Sequence, residues 1–165
     1  PTSVGASNNN KMLKFALIGA ALVVITVIMH AVGTTLWLRV MARRFAHADG
    51  TIRSGKILHV LIGTVVVLLV LHTLEIIVWA YSYLVLVPGE LDTFEEAVYF
   101  SFVTFTTLGY GDITLSEYWR LLSGIEALNG IMLVGWTTAM LFAVVQKTWQ
   151  GMAHRIRGDS PGEKQ

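Results

Sequence analysis

The 165-residue sequence contains no cysteine, only three prolines and few charged residues. Without cysteine, the chain has neither disulfides nor thiolate metal sites. Charged residues make up 14% of the chain, whereas an average soluble domain has about a quarter. So low a charge content disfavours a soluble domain. Hydrophobic residues, by contrast, make up 54% of the sequence.

The hydrophobic residues are concentrated in three long runs. Residues 15–38 contain no Asp, Glu, Lys or Arg, residues 57–89 contain only Glu75 of these, and residues 121–146 contain only Glu126. Each run exceeds the roughly 20 residues that a helix needs to cross the bilayer core. The first run is also longer than the roughly 7 to 15 apolar residues of a cleaved signal. The sequence therefore predicts an all-α integral membrane protein with three transmembrane helices.

The charges outside these runs are distributed unequally. Basic residues dominate between the first two runs and after residue 146, whereas residues 88–120 contain six acids and a single arginine. Lys and Arg near helix ends mark the cytoplasmic side of a membrane protein. We therefore expect the C-terminus to be cytoplasmic, and the acidic stretch and the N-terminus to lie outside.

A short helix is predicted between the second and third runs. Pro88-Gly89 ends the preceding helix, and Thr93 with Glu96 has the spacing of a capping box before an apolar and aromatic stretch that runs to Thr106. Such a helix is roughly 20 Å long at 1.5 Å per residue, too short to cross a bilayer. It must therefore be re-entrant, and the non-helical backbone after it must line a wet cavity.

That backbone belongs to the sequence TTLGYGD, residues 106–112. Backbone carbonyls replace the hydration shell of a cation only if several consecutive carbonyls point the same way, and Gly109 and Gly111 tolerate the backbone angles that this needs. The hydroxyl of Thr107 adds a further oxygen ligand. Asp112 follows at the outer mouth, where a negative charge raises the local cation concentration. Rings of such carbonyls underlie potassium selectivity.

TTLGYGD resembles the potassium-channel signature T-V-G-Y-G-D, with Leu108 in place of the usual valine. The resemblance covers residues 57–147 and implies a homotetramer that surrounds K⁺ on a four-fold axis. It also implies a hydrogen bond from Tyr99 to Asp112. The ion-binding filter is expected to comprise Thr107, Leu108, Gly109, Tyr110 and Gly111, supported by Tyr99, Thr106 and Asp112. Tyr110 is expected to point away from the axis. The small size of the chain, without regulatory domains, resembles the prokaryotic members of the family.

The resemblance divides the chain into an additional helix and a pore domain. We expect a disordered extracytoplasmic tail at residues 1–11, the additional N-terminal transmembrane helix at 12–46, the pore domain at 57–147 and a short cytoplasmic tail at 148–165. Within the pore domain, the outer helix is predicted at 57–87, the pore helix at 93–106, the filter at 107–111 and the inner helix at 118–147.

The inner helix carries two glycines near its middle. Gly130 and Gly135 are interpreted either as a gating hinge, for which Gly130 is the better candidate, or as sites of close helix packing. A gapless match to the family places Met132, Gly135, Ala139 and Ala143 on one face that lines the cavity.

Four polar residues lie within the membrane runs: His72, Glu75, Glu126 and Asn129. Ionisable groups in mid-membrane are costly and usually paired or functional, so the spacing allows a polar cluster behind the pore helix, with His72 beside Glu75 or Glu126. It is interpreted as a structural network, as a pH-responsive gate or, least favoured, as a metal site built from His72, Glu75 and Glu126. Asn129 has the further interpretation of facing the cavity. No transition-metal site is expected. His30 and His59 are interpreted as single, packed or interfacial histidines.

The function predicted from these features is passive, potassium-selective conduction, with K⁺ as cargo rather than as a catalytic cofactor. One alternative is a weakly selective cation channel, favoured if Leu108 loosens the filter. Another is a non-conducting membrane scaffold, with Gly19, Ala20 and Ala21 of the first helix as a docking patch or as ordinary packing. No nucleophile, base and oxyanion set is visible, so we expect no enzyme activity. The expected partners are the lipid bilayer and three further copies of the chain, without nucleic acid.

Overall fold

The computed structural model describes residues 2–45, 54–87, 89–117 and 119–158, and within these ranges it is helical without strands. The α-helices are α1 (Thr2–Phe45), α2 (Ile57–Leu86), α3 (Phe94–Phe105) and α4 (Arg120–Gly158), and a single 3₁₀ turn (Ser54–Lys56) precedes α2. Three segments are long and apolar enough to cross a membrane: Met12–Phe45, Ile57–Leu86 and Arg120–Gln150. The predicted all-α fold with three membrane-spanning helices is confirmed.

The helices are longer at both ends of the chain than the sequence indicated. α1 begins at Thr2, so the predicted disorder of residues 1–11 is wrong for the described residues 2–11. α4 continues to Gly158, eleven residues beyond the predicted end at 147. No proline interrupts either helix, and a helix that is already nucleated extends at little cost until such a residue stops it. Residues 159–165 of the predicted tail lie outside the described residues.

The chain forms two compact units, Pro1–Ala31 with Leu71–Gly135, and Val32–Val70 with Trp136–Gln165. The core of the first unit is built mainly from large apolar side chains of α2, α3 and α4, including Trp79, Phe105 and Leu133. The core of the second unit is smaller and centres on Met41, Val60 and Val144.

In the first unit, α1 runs parallel to the start of α4. Phe15 packs on Trp119 with ring centroids 4.4 Å apart, and a Cβ added to Gly19 would lie 2.7 Å from the side chain of Ile125. Gly19 therefore permits a close approach of two helices, as small residues do in membrane proteins. Of the two interpretations of this stretch, its geometry favours ordinary packing over a docking patch.

In the second unit, α1 runs antiparallel to α2. The indole N–H of Trp37 donates a 2.9 Å hydrogen bond to the hydroxyl of Thr64. A Cβ on the neighbouring Gly63 would come within 2.8 Å of the same indole ring. The absence of a side chain at Gly63 leaves space for the indole ring. The hydrogen bond to Thr64 gives the indole N–H of Trp37 a partner within an otherwise apolar contact.

Candidate functional site

The short helix α3 begins at a cap formed by Thr93 and Glu96. The Thr93 hydroxyl accepts a hydrogen bond from the Glu96 N–H at 3.1 Å, as a capping box requires. The Glu96 carboxylate accepts from the N–H of Asp92 at 2.9 Å, one residue before the position expected for a capping box. Both contacts fix the start of α3 and so the direction in which its C-terminal end points.

The backbone after α3 alternates in handedness. Thr107, Gly109 and Gly111 have φ values of 58°, 55° and 75°, whereas Leu108 and Tyr110 lie outside the left-handed region. When residues with positive and negative φ alternate, successive peptide planes rotate in opposite directions. The carbonyl groups of consecutive residues then face the same side of the segment. Among the described residues Thr107 is the one non-glycine residue with positive φ, and such a conformation is a genuine outlier for a β-branched residue.

Hydrogen bonds hold this strained segment against the end of α3. The N–H groups of Leu108 and Gly109 both donate to the carbonyl of Val103, at 3.0 and 3.3 Å, and the N–H of Thr107 donates to Thr104 at 2.9 Å. The hydroxyl of Thr106 donates to the carbonyl of Phe102 at 2.7 Å. The N–H groups therefore point back towards the helix, which leaves the carbonyl oxygens as the polar groups of the opposite side.

The far end of the segment is tied to α3 by a side-chain contact. The hydroxyl of Tyr99 donates a 2.7 Å hydrogen bond to the carboxylate of Asp112, which is the pairing that the family resemblance implies. This bond, helped by the N–H groups of Asp112 and Ile113, lowers the pKa of the exposed Asp112 carboxyl. Asp112 is therefore an anion at neutral pH and stands directly after the carbonyl-lined segment.

A single chain leaves this segment open to its surroundings. The side chains of Leu108 and Tyr110 are 54% and 67% exposed. The predicted cavity-lining residues of α4 are exposed as well: Met132, Gly135, Ala139 and Ala143. Extended apolar exposure of this kind marks a surface that another molecule covers.

Gly130 of α4 differs from these residues because it is buried. A Cβ at this position would overlap the backbone carbonyl of Phe105, the last residue of α3. At Gly135 a Cβ would meet nothing within 4 Å. Of the two interpretations made from the sequence, the geometry therefore favours close packing at Gly130.

The intramembrane polar residues lie in more than one cluster, and of the two neighbours suggested for His72 the structure places Glu75 beside it. The buried carboxylate of Glu75 lies 2.8 Å from Nδ1 of His30 and 2.9 Å from Nδ1 of His72. The sequence indicated that His30 is a single packed or interfacial histidine. The structure shows instead that it is a partner of Glu75. His59, the other histidine interpreted as single, is exposed on α2.

Glu126 and Asn129 lie in separate contacts. The fully buried carboxylate of Glu126 accepts hydrogen bonds from the hydroxyls of Tyr83, at 2.6 Å, and Ser101. Asn129 donates to the hydroxyl of Thr26 at 2.9 Å. The spacing along α2 and α4 correctly grouped residues of one helix, but it could not show that Glu75 faces α1 whereas Glu126 faces α2 and α3.

Sequence reasoning missed His30, although the chain carries a signal for it. Thr26, His30 and Thr34 follow one another at intervals of four in an otherwise apolar run and are all buried. Residues four apart share one face of a helix. A polar stripe of this kind in a membrane helix predicts polar partners on the opposing helix.

Comparison with known proteins adds one finding. A family model described as an ion channel matches residues 64–147, from the first turns of α2 through the Thr107–Gly111 segment and into α4. Neither the curated proteins nor the solved structures gave a significant match.

Proposed function

This chain belongs to the ion channel family, and we propose that it is a potassium-selective channel through which K⁺ moves down its gradient. The observation that carries the proposal is the alternating backbone of residues 107–111, with positive φ at Thr107, Gly109 and Gly111. Carbonyls that face one side in consecutive rows can replace the hydration shell of K⁺.

The remaining contacts support the same role. The hydrogen bonds from residues 107–109 to α3 hold the carbonyl oxygens in position before an ion arrives. Preorganised oxygens need little rearrangement when they replace water around the ion. Asp112, an anion by its lowered pKa, attracts cations to the outer mouth. No chemical reaction is part of this mechanism.

One copy supplies one wall of such a filter, so we propose a homotetramer about a four-fold axis. The exposure of Leu108 and Tyr110 supports this assembly, because neighbouring copies would cover these side chains. We further propose that the filter and the N-terminus lie on the outer side of the membrane. The parallel course of α1 and the start of α4, together with the acidic stretch after α2, supports this orientation.

Leu108 is the position at which this chain departs from the usual signature. Its backbone carbonyl can serve as well as that of valine, but its side chain is longer and has to pack behind the filter. If a neighbouring copy packs it tightly, selectivity is retained. A loosely packed Leu108 gives a weakly selective cation channel, which ion flux measurements distinguish.

The test is cation flux from liposomes that contain the purified full chain. We expect K⁺ efflux that exceeds Na⁺ efflux, and its loss in Gly109→Ala because alanine disfavours the positive φ of that position. Gly89→Ala is the matched control, since Gly89 also has a positive φ, of 82°, and lies outside the filter. The control should retain flux.

Equal K⁺ and Na⁺ fluxes through the wild-type chain would replace the selective channel by the weakly selective one. No flux from a stable wild-type assembly would contradict conduction and favour the non-conducting scaffold. Equal loss of flux in Gly89→Ala and Gly109→Ala would show that the effect is not specific to the filter. Gly109→Ala would then no longer support the assignment of the filter.

A further inference from the structure

We propose that His30, His72 and Glu75 form a binding site for a divalent transition-metal ion that joins α1 to α2. One ring nitrogen of each histidine and a carboxylate oxygen of Glu75 lie within 4.8 Å of one another. The site is separate from the filter, and nothing in its geometry depends on whether the channel conducts K⁺.

The distances suit a common metal ion. The two contacts from Glu75 are 2.8 Å to His30 and 2.9 Å to His72. Ligands of Zn²⁺ lie roughly 2.0 to 2.2 Å from the ion in a tetrahedral arrangement, which places two ligands about 3.4 Å apart, roughly half an ångström more than these contacts. The proposal requires the three side chains to turn from these direct contacts towards one centre.

The donor types indicate which ions fit. Two imidazole nitrogens and one carboxylate suit Zn²⁺, Fe²⁺, Co²⁺ and Ni²⁺, whereas Mg²⁺ and Ca²⁺ prefer oxygen ligands. K⁺ is likewise a poor match for two imidazoles. The ions that bind here are therefore different from the ion that the filter is proposed to conduct.

The surroundings also favour a cation. The carboxylate of Glu75 is fully buried in a membrane-spanning helix, where a charge without a counter-charge is costly. The ring of His72 packs against Phe105, the last residue of α3, with ring centroids 5.9 Å apart. The buried carboxylate therefore stabilises a positive ion between the two histidines.

His72 is the most accessible of the three residues. The side chain of His72 is 16% exposed, whereas those of His30 and Glu75 are fully buried. A metal ion can therefore meet His72 first and then exchange the hydrogen bonds of Glu75 for coordination. Nδ1 of each imidazole must carry no proton when it coordinates, and a neutral imidazole meets this requirement by holding its proton on Nε2.

Metal content and spectroscopy test the site. The full chain is purified without a polyhistidine tag, equilibrated with Zn²⁺ at low micromolar concentration, dialysed and analysed for metal. We expect one Zn²⁺ per chain. With Co²⁺ as the probe, we expect visible absorption bands of a nitrogen- and oxygen-ligated ion.

The informative variants are His30→Asn and His72→Asn. An asparagine amide can still donate a hydrogen bond to Glu75, so it preserves a purely hydrogen-bonded network but supplies a far poorer ligand. We expect Zn²⁺ affinity to fall roughly 100-fold or more, beyond the 10- to 100-fold typical for loss of a group that merely orients a ligand. His59→Asn, an exposed histidine of α2, is the matched control and should bind as the wild type does.

Three results would overturn the proposal: absence of stoichiometric Zn²⁺ in the wild type, unchanged affinity in both variants, or an equal loss in His59→Asn. The first would mean that the three residues form a hydrogen-bonded network only. Helical circular dichroism and gel filtration confirm that each variant is folded, and a misfolded His30→Asn leaves His72→Asn to decide. Since no flux is measured, failure of the metal site and failure of the channel proposal are distinguishable.

Discussion

At the scale of single residues, Gly130 shows how one missing side chain sets the distance between two elements. It lies where α4 passes the carbonyl of Phe105 at the end of α3. Small residues at such crossings let helices in membranes approach closely. The same sequence pattern, a glycine in mid-helix, also occurs where helices bend, which is why the spacing alone left both interpretations open.

Replacing Gly130 by alanine should destabilise the protein, because the new Cβ would overlap the Phe105 carbonyl. We expect a loss of roughly 1 to 3 kcal/mol in the free energy of unfolding, typical of overpacking. Gly124→Ala is the control, since a Cβ there meets nothing within 4 Å and alanine favours the helix. Thermal unfolding in detergent compares the two, and equal stability of both variants would contradict close packing at Gly130.

Glu90 provides a prediction about pH outside the membrane spans. Its carboxylate accepts from the N–H of Ser116 at 2.8 Å, and hydrogen bonds from the Ser116 side chain and backbone lower its pKa below the usual 4.5. A lowered pKa means that the contact contributes to stability above about pH 4.5 and is lost as the pH falls through the lowered value.

Ser116→Ala removes the larger of the two contributions and should raise the pKa of Glu90 towards its usual value. Titration of ¹³C-labelled glutamate side chains by NMR measures this shift. Glu117→Gln serves as the control, because it changes a neighbouring side chain without altering the Ser116 contact. An unchanged titration midpoint for Glu90 in Ser116→Ala would contradict the assignment of the contact.

At the scale of the elements, the carboxylate of Glu126 links α4 to two other helices. It accepts hydrogen bonds from Tyr83 of α2 and Ser101 of α3, and Ser101 also donates to the carbonyl of Ile76 at 3.1 Å. A buried acceptor in lipid needs such donors inside the protein. The network therefore holds α3, and with it the Thr107–Gly111 segment, in register with the surrounding helices.

Tyr83→Phe should destabilise this packing because it removes a donor from a fully buried carboxylate. Loss of one partner of a buried polar group costs roughly 1 to 3 kcal/mol. Tyr81→Phe is the matched control, since Tyr81 lies on the same helix but is 64% exposed. Chemical denaturation of both variants gives the comparison, and a Tyr83→Phe variant as stable as the control would show that the Tyr83 hydroxyl is dispensable.

At the scale of the whole molecule, one chain leaves the carbonyl-lined segment and the exposed face of α4 uncovered. Such surfaces favour association with further copies, which the proposed function requires. We expect a mass of four chains from native mass spectrometry or light scattering of the protein in lipid nanodiscs. Gly109→Ala should give the same mass although it loses flux, because its change lies in the backbone of the filter. A monomer or dimer as the main species would contradict the proposed assembly.

Local patterns along the chain were sufficient to predict the three membrane helices, the short capped helix and the segment with Gly109 and Gly111. Each depends on residues that are neighbours in sequence: run length, cap spacing and the backbone freedom of glycine. The Tyr99–Asp112 contact was expected only from the resemblance to the potassium-channel signature, because no local pattern pairs a tyrosine with an acid thirteen residues later.

Tertiary structure decided which helix each polar face meets. Spacing places His72 and Glu75 on one face of α2, but it does not give the rotation of α2 relative to α1. His30 of α1 was therefore not predicted as the second partner of Glu75. For the same reason the spacing left open whether His72 lies beside Glu75 or Glu126. A helix shows from its own sequence which residues share a face, whereas the partner of that face depends on how separate helices pack across the bilayer.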